Sequence, residues 1–462
     1  MKAGVGSQDI TPEIGMRTEL FQNLFVDKIV TPLLVKICII EGQELSAALV
    51  TADVMDFFSD SCGDIRRVVS DVTGIGEKYI FLNASHTHSA PYICPTAQRY
   101  LEKWGTGFLD LNYYDHLLQA VRTAAISARD SREEVCVRYS RGYVSGVASN
   151  RRVAMEDGKI GVRYGRNVPE ELRRYPDGLI DPYAECVWLE KANGELKCAL
   201  VNYACHGTSY NQYSEICWDY MGYAREEIER KLGGQVLFLQ GCAGNISPGK
   251  YTTGEPLEDA RLLGSRLAKA VTNSYRDRSP VDSEAANAVN RTVILKGRTT
   301  LSRDDLEARL KEELARVKIE QRRGSTAFYG SMVISYLERL LMLDKYPTLE
   351  IPCEIGLIRI GGLHLFFLPS ESFIQYALEI KDHLKGKPVL VMAYGDCTLQ
   401  YIPNEAAYVE KGGMEDDPDW CYSERGNGEA LVKAAIRLAD TYEGNQVLTE
   451  VQRQFNCPAS GK

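Results

Sequence analysis

Residues 79–91 read YIFLNASHTHSAP, and this stretch is the one from which the fold can best be inferred. Its apolar start, from Tyr79 to Leu82, predicts a buried strand. Two of the six histidines of the chain, His86 and His88, follow that strand two positions apart. If the chain stays extended there, their side chains project to the same side. Imidazole is a common metal ligand and acid–base group, so we expect chemistry at this strand end.

Three later core strands also end in polar or small residues, and these could supply partners for the two histidines. In order, they are residues 198–204 before His206, residues 235–239 before the loop 240–249, and residues 363–368 before Glu371. The loop reads QGCAGNISPG, and its glycines allow a ligand to approach the backbone closely. It matches neither a P-loop nor a dinucleotide-binding pattern. Without such partners, the two histidines would be ordinary surface or core residues.

Two further features have alternative interpretations. Asp53 stands at the end of the strand 47–54, where it either supports a metal ligand or has a structural role such as capping the next helix. Arg151 and Arg152 are adjacent, and adjacent arginines are usually solvated. The alternative is that one of them clamps a carboxylate or an oxyanion.

The composition excludes several classes of partner. The net charge of −9 argues against binding to nucleic acid or to an anionic membrane surface. No apolar run reaches the roughly 18–20 residues of a membrane span, and residues 1–9 lack the apolar core of a secretory signal. The 13 cysteines form no CxxC pair, which is typical of reduced thiols. We therefore expect a cytoplasmic enzyme with no nucleic-acid partner and no stable membrane insertion.

The order of strands and helices predicts an α/β fold with a layered, mixed β-sheet core and flanking helices. The chain, residues 1–462, is expected to form a single domain with the candidate site at the strand ends. A helical insertion is expected at about 283–350, as a lid, an oligomer contact or a solvated excursion. The predicted core strands are 79–82, 198–204, 235–239, 363–368 and 388–393.

Taken together, these motifs resemble the catalytic domain of the neutral/alkaline (non-lysosomal) ceramidase family. The resemblance extends over nearly the whole chain. The shared features are, in order, DITP at 9–12, SHTHS at 85–89, the pair Asn150-Arg151, the strand-end His206, GNISP at 244–248, LPSE at 368–371 and LQYIPNEAAY at 399–408.

The resemblance implies a zinc amidase. The metal ligands that it implies are His86, His206, Glu371 and Tyr401. It further implies that His88 acts on the substrate, that Arg151 holds a substrate oxygen and that Ser247 is catalytic, as a nucleophile or as a hydrogen-bonding group. The substrate-binding positions that it implies are Asn150, Gly244, Asn245 and Met414.

This sequence departs from the family pattern at four positions. Met414 stands where the family has a second active-site tyrosine, for which Tyr422 is a possible substitute. The other three departures are Ala90 and Ser370, each in place of a glycine, and Asn245 in place of an aspartate.

We expect zinc-activated water to cleave an amide bond in a small, soluble N-acyl or cyclic amide rather than in ceramide. The alternatives are a zinc-dependent ester or lactone hydrolase, a non-hydrolytic metal-dependent lyase or isomerase, and a non-enzymatic module that keeps the fold. A homo-oligomer is possible.

Overall fold

The computed structural model describes residues 1–16, 25–103, 107–212, 214–322, 330–413, 415 and 419–443. In this part of the chain the strands are β1 (Lys2–Asp9), β2 (Lys28–Ile29), β3 (Leu34–Glu41), β4 (Ser46–Ala52), β5 (Ile80–Ala84), β6 (Glu133–Tyr143), β7 (Ser149–Asn150), β8 (Arg152–Ala154), β9 (Lys159–Val162), β10 (Tyr183–Lys191), β11 (Leu196–Tyr203), β12 (Glu215–Ile216), β13 (Gln235–Gln240), β14 (Ile246–Ser247), β15 (Ser279–Pro280), β16 (Ala286–Lys296), β17 (Glu350–Ile360), β18 (Leu363–Phe367), β19 (Glu371–Ser372), β20 (Val389–Met392), β21 (Tyr401–Ile402) and β22 (Lys411–Gly412). The α-helices of the same residues are α1 (Ser59–Thr73), α2 (Pro95–Glu102), α3 (Leu111–Asp130), α4 (Glu170–Arg174), α5 (Asp219–Leu232), α6 (Pro256–Ser274), α7 (Arg303–Arg322), α8 (Gly330–Lys345), α9 (Ile374–His383) and α10 (Asn427–Glu443).

Two mixed sheets form the core, which confirms the predicted layered α/β fold. The first has nine strands in the order β13-β11-β10-β6-β1-β3-β4-β5, with β15 paired to β6. The second has the order β16-β17-β18-β20. Most pairs are antiparallel, but β4 with β5, β11 with β13, and β18 with β20 run parallel. The five predicted core strands all lie in these sheets.

The two sheets pack face to face, and helices cover their outer faces. Along β3, Cys38 and Ile40 face the layer between the sheets, whereas Ile37 and Ile39 face the helices. Helices α3, α5 and α6 pack on the first sheet, and α9 and α10 pack on the second. Strands buried on both faces need apolar side chains at nearly every position, which is why they appear as continuous apolar runs in the sequence.

A side chain at the end of β5 joins the edges of the two sheets. The Asn83 amide donates to the carbonyl oxygens of Gln240 (3.1 Å) and Ala393 (2.5 Å). Its Oδ1 accepts from the Gln240 amide at 2.7 Å. The ends of β5 and β13 therefore lie side by side, next to the residue that follows β20. This arrangement brings the loops after these strands to one place.

The segment 283–350 is only partly the helical insertion that we expected. Residues Ala286–Lys296 form β16, which pairs with β17 along its whole length. Its first five residues are buried or partly buried, and burial alternates with a two-residue period only from Val293 to Lys296. The described helical residues begin at Arg303 and end at Lys345.

The hairpin of α7 and α8 is packed against the rest of the protein. Leu310, Val333 and Leu337 are buried. The buried carboxyl group of Glu338 accepts from the Tyr92 hydroxyl at 2.5 Å and from the Gln400 amide at 3.2 Å. The hairpin is therefore not a solvated excursion, since it contacts two of the loops that follow core strands. No helix among the described residues is both long and apolar enough to cross a membrane.

Asp53 has the structural role that was one of its two interpretations. Its carboxylate accepts from the Leu34 amide at 2.9 Å and from both terminal nitrogens of Arg225 at 3.1 and 2.7 Å. Both side chains of this ion pair are almost fully buried. The pair ties β3 and β4 to α5, and it leaves Asp53 committed to Arg225 rather than to a metal ligand.

We predict that Arg225→Ala lowers the free energy of unfolding by about 3 kcal/mol, because it leaves the Asp53 carboxylate buried without a cation. Urea denaturation followed by circular dichroism measures this loss. The control is Arg174→Ala, since the Arg174 side chain is 77% exposed in its ion pair with Glu170. We expect the control to change stability by less than about 0.5 kcal/mol. Equal effects of the two substitutions would contradict the assigned role of Asp53.

Candidate functional site

Short backbone pairings bring together the loops that the sequence motifs occupy. Thr87, between the two histidines, bridges to Gly207, next to His206. Strands β19 and β21 pair Glu371 with Tyr401. Strands β14 and β7 pair Ile246 with Asn150 and Ser247 with Ser149. The residues implied by the resemblance and placed by the structure therefore lie in one cluster at the strand ends.

The two histidines of the SHTHS motif converge, but not for the reason that we expected. Strand β5 ends at Ala84, and His86 has a φ of 62°, which is a left-handed conformation. The chain thus turns at His86 instead of remaining extended. The Nε2 atoms of His86 and His88 nevertheless lie 3.2 Å apart, because the turn points both rings inward.

Three imidazoles form the centre of the site. The candidate ligand atoms of His86, His88 and His206 all lie within 4.8 Å of one another. The ring centroids of His86 and His206 are 4.5 Å apart, with their planes at 82°. His88, which was expected to act on the substrate, is thus also close enough to serve as a metal ligand. His86 and His206 are buried, whereas His88 is partly exposed.

Backbone carbonyl groups fix the tautomers of the two buried histidines. Nδ1 of His86 lies 2.8 Å from the Met55 oxygen, and Nδ1 of His206 lies 2.7 Å from the Ala243 oxygen. Carbonyl oxygens only accept hydrogen bonds, so we assign the proton of each ring to Nδ1. Both Nε2 lone pairs then point towards the centre of the cluster, as metal ligands require.

Glu371 completes a set of acceptors that face one another. Its Oε2 lies 3.1 Å from Nε2 of His206 and 3.5 Å from Nε2 of His86. Burial, assisted by the negative charge of Asp56, raises the pKa of Glu371 to about 7. Three acceptors at these distances repel one another unless a proton or a cation lies between them. Imidazole nitrogens and a carboxylate oxygen are suitable ligands for Zn²⁺, so this set can hold such a metal.

Asp56 is a supporting residue that we did not predict from the sequence. Its Oδ1 lies 3.2 Å from Nδ1 of His86, and its Oδ2 has no hydrogen-bond partner in the described structure. Although burial opposes it, the negative charges of Asp56 and Glu371 raise the pKa of His86. A carboxylate behind a ligating imidazole is a common arrangement in metal sites. Its only signal in the sequence was its position four residues after β4.

The other two histidines have the opposite shift. Burial lowers the pKa of His206 well below the usual value, and the positive charges of Arg151 and His86 lower it further. Burial, followed by the charges of His86 and Arg151, also holds the pKa of His88 well below the usual value. Both rings are therefore neutral at neutral pH, and each keeps a lone pair that can bind a metal or accept a proton.

Arg151 is a buried clamp, which decides between the two interpretations of the arginine pair. Its Nε donates to Glu415 Oε1 at 2.6 Å, and Arg152 donates to the other oxygen of Glu415 at 2.5 Å. One terminal nitrogen of Arg151 lies 3.3 Å from Nε2 of His206. The other is buried without a hydrogen-bond partner in the described structure. Such an orphaned donor beside an acceptor cluster suits an oxygen atom of a ligand.

Two tyrosines line the buried side of the cluster. Tyr401, an expected metal ligand, is buried, and the Arg151 guanidinium lies 5.0 Å from its ring centroid. Burial raises the pKa of Tyr401. Tyr394, which we did not predict, packs its ring 4.4 Å from that of His86 and places its hydroxyl 3.5 Å from Oε2 of Glu371. A third tyrosine, Tyr164, lies beside His88 on the partly exposed side.

The other expected site residues that the structure describes make their contacts with neighbouring segments of the protein. The Ser247 hydroxyl donates to the Arg163 carbonyl oxygen at 2.6 Å. The Asn245 side chain accepts from the Ile374 amide at 3.0 Å, at the start of α9. A Cβ atom on Gly244 would lie 2.3 Å from the Glu371 oxygen, so only glycine allows the loop this close to the site. The Asn150 side chain donates to the Leu179 carbonyl oxygen at 3.1 Å and accepts from the Arg152 amide at 3.0 Å.

Two residues were considered for the position of the second active-site tyrosine, and the structure describes one of them. Met414 lies outside the described residues. Tyr422 is buried, and its hydroxyl is 2.9 Å from the Ser335 hydroxyl on α8. The structure therefore gives no support to Tyr422 as a substitute in the site.

Comparison with known proteins shows a similarity that is limited to structure. No family model matches the sequence, and no curated protein matches it. A neutral ceramidase from Pseudomonas aeruginosa shares the fold with a TM-score of 0.68 and 18% identity, over 95% of this chain and 73% of that chain. A ceramidase complexed with C2 gives 0.66 and 17%, over 98% of this chain and 75% of that chain. The resemblance noted in the sequence is thus confirmed in three dimensions, and the chain has the fold of the neutral ceramidases.

Proposed function

We propose that this chain is a zinc-dependent amidohydrolase that uses water to cleave the amide bond of a small N-acyl or cyclic amide. One observation carries the proposal, namely that two imidazole lone pairs and the Glu371 carboxylate face one another in a buried cluster. Such a cluster is stable when a cation lies in it. The shared fold of two ceramidases supports an amide as the bond that is cleaved.

In this proposal His86, His206, Glu371 and Tyr401 hold the zinc ion. Two imidazoles, a carboxylate and a phenol are typical of a catalytic site, whereas structural zinc sites are closed and usually rich in cysteine. A bound zinc ion would act as a Lewis acid and would lower the pKa of the water bound to it from about 15.7 to about 7. His88 lies at the same cluster, and one of its ring nitrogens could serve as a further ligand.

Arg151 would hold the substrate oxygen on which negative charge develops. Its unpartnered terminal nitrogen is the donor for this contact. Glu415 fixes the guanidinium through Nε, so the donor needs little reorganisation when the substrate binds. Removal of one such preorganised donor commonly lowers kcat by about 100-fold or more.

His88 would carry a proton from the attacking water to the departing amine. Its ring is neutral because burial and nearby positive charges lower its pKa. It is also partly exposed, so a substrate can reach it. Amide cleavage needs this proton because an amine anion is a poor leaving group. An ester needs less help, and an ester or lactone is therefore the alternative substrate class.

The remaining expected residues would shape the substrate pocket. We propose that Ser247 acts as a hydrogen-bonding group, because its hydroxyl donates to the Arg163 carbonyl. Asn150, Gly244 and Asn245 would hold the neighbouring loops in place through their contacts with the protein. Met414 is proposed to contact the substrate on the basis of the sequence alone.

The substrate is proposed to be a small amide other than ceramide, and the enzyme is proposed to act in the cytoplasm, which is a reducing compartment. All 12 cysteines in the described residues are free, and 11 of them are buried. Free thiols in this number are typical of proteins in a reducing environment.

The metal content of the purified protein is the first quantity to measure. We predict about one zinc per chain in the wild-type protein and nearly none in His206→Ala, since His206 supplies one of the buried lone pairs. Elemental mass spectrometry of the purified proteins, after zinc loading and dialysis, measures both. The control is His383→Ala, because His383 is half-exposed and pairs with Asp440 away from the cluster. Zinc retained by His206→Ala, or absent from the loaded wild type, would contradict the proposal.

Hydrolysis can be told from other chemistry by isotope labelling. We predict that N-acyl amino acids, acylated amino sugars or cyclic amides, incubated in ¹⁸O water, give an acid product with one ¹⁸O atom per turnover. A lyase or isomerase would introduce none.

His88→Ala is predicted to slow this reaction by about 100-fold or more while the zinc content stays at the wild-type value. The loss should be smaller for an ester of the same acid, because an alkoxide or phenolate leaves more easily than an amine anion. If both substrates slow equally, His88 does not protonate the leaving nitrogen. If the zinc content falls instead, His88 is a metal ligand.

A further inference from the structure

Tyr164 lies on the partly exposed side of the cluster. Its side chain and that of His88 are partly exposed. The other side chains that define the cluster are buried, namely His86, Arg151, His206, Glu371, Tyr394 and Tyr401. Among the described residues of the cluster, Tyr164 and His88 are therefore the two that a molecule in solvent can contact.

The backbone around Tyr164 is held firmly in place. The buried guanidinium of Arg163 donates to five carbonyl oxygens, those of Asn150, Leu172, Tyr175, Pro176 and Asp177. The carbonyl oxygen of Arg163 accepts from the Ser247 hydroxyl at 2.6 Å, and that of Gly165 accepts from the Thr252 hydroxyl at 2.8 Å. The residues on both sides of Tyr164 are thus fixed by hydroxyl groups of one loop. A side chain presented from such a support keeps its position when a ligand binds.

The Tyr164 ring lies among the polar groups of the site. Its hydroxyl is 3.4 Å from each ring nitrogen of His88. The guanidinium carbon of Arg151 lies 5.0 Å from the ring centroid, a cation–π distance. The ring centroid of His206 is 5.9 Å away. The phenol is therefore anchored between the arginine and two of the three imidazoles.

We propose that Tyr164 is a further catalytic residue, whose hydroxyl donates a hydrogen bond to the substrate oxygen that becomes negatively charged. The inference rests on the proposed amidohydrolase function and adds a second donor to that of Arg151. The two donors come from different loops but touch each other through the guanidinium and the ring. A phenol is neutral and directional, so it favours an oxyanion without placing a second positive charge beside the metal site.

The role of Ser247 follows from this arrangement. Its hydroxyl does not need to touch the substrate in order to matter, because it holds the carbonyl group of Arg163, directly before Tyr164. Ser247 is then a positioning residue for the phenol. This explains in physical terms why a serine in this loop can be important although zinc-activated water supplies the nucleophile.

Acetohydroxamate binding to the cobalt-loaded protein tests the proposal without relying on turnover. The anionic oxygen of this small N-acyl compound resembles the oxyanion, and the visible absorption of Co²⁺ reports its binding. We expect Tyr164→Phe, which keeps the ring, to raise the dissociation constant about tenfold or more, as loss of a hydrogen bond to a charged group does. Cobalt content and the spectrum without acetohydroxamate should stay unchanged.

The matched control is Tyr223→Phe. Tyr223 is a half-buried residue of α5 whose ring packs against Trp218 and Arg261, outside the site. Its substitution should leave the dissociation constant at the wild-type value. Equal constants for Tyr164→Phe and the wild type would overturn the role of Tyr164 while the metal site stands. Failure of the wild type to bind cobalt would instead overturn the proposed function, and this inference with it.

Discussion

The facing lone pairs of His86, His206 and Glu371 are the constraint on which the rest of the site depends. A carboxylate oxygen of Glu371 lies 3.1 Å from Nε2 of His206 and 3.5 Å from Nε2 of His86, and all three side chains are buried. Buried acceptors that face one another are costly, and the protein adds to that cost by directing both Nδ1 protons outward to carbonyl groups. Each of these choices raises the affinity for a cation. The cluster can therefore hold a positive charge at its centre.

Four residues at or next to this cluster have a strained backbone conformation. His86, Ser370, Tyr394 and Gln400 all have φ between 53° and 62°, in the left-handed region. Each such conformation costs a non-glycine residue about 1–2 kcal/mol. The four residues are candidate site residues or sequence neighbours of them. The two packed sheets provide the rigidity that keeps these turns in place, since the turns begin where core strands end.

Much of the fold was predictable because the core strands are continuous apolar runs, which sheets buried on both faces require. His86, His206, Glu371 and Tyr401 could be named because each follows or begins a strand and belongs to a motif. Asp56, Glu415 and Tyr164 could not, because each lies in a loop without a motif. Glu415 is 264 residues from the arginine it binds. The geometry of the SHTHS turn was wrong in our prediction, since nothing in the sequence revealed the left-handed His86. Strand β16 was not predicted, because its burial alternates only over its last four residues and its sequence therefore lacks a clear two-residue pattern.

The contacts of Asn83 bear on the order in which the protein folds. This side chain joins segments that are 157 and 310 residues away along the chain. Pairings over such separations close late in folding, because the entropy of long loops must be lost first. Glu415 follows Arg151 by 264 residues, so during synthesis the ion pair between them cannot form until residue 415 has been added. If the cluster holds a metal as proposed, the ion would enter a site that folding has already assembled, unlike in small zinc domains whose folding depends on the ion.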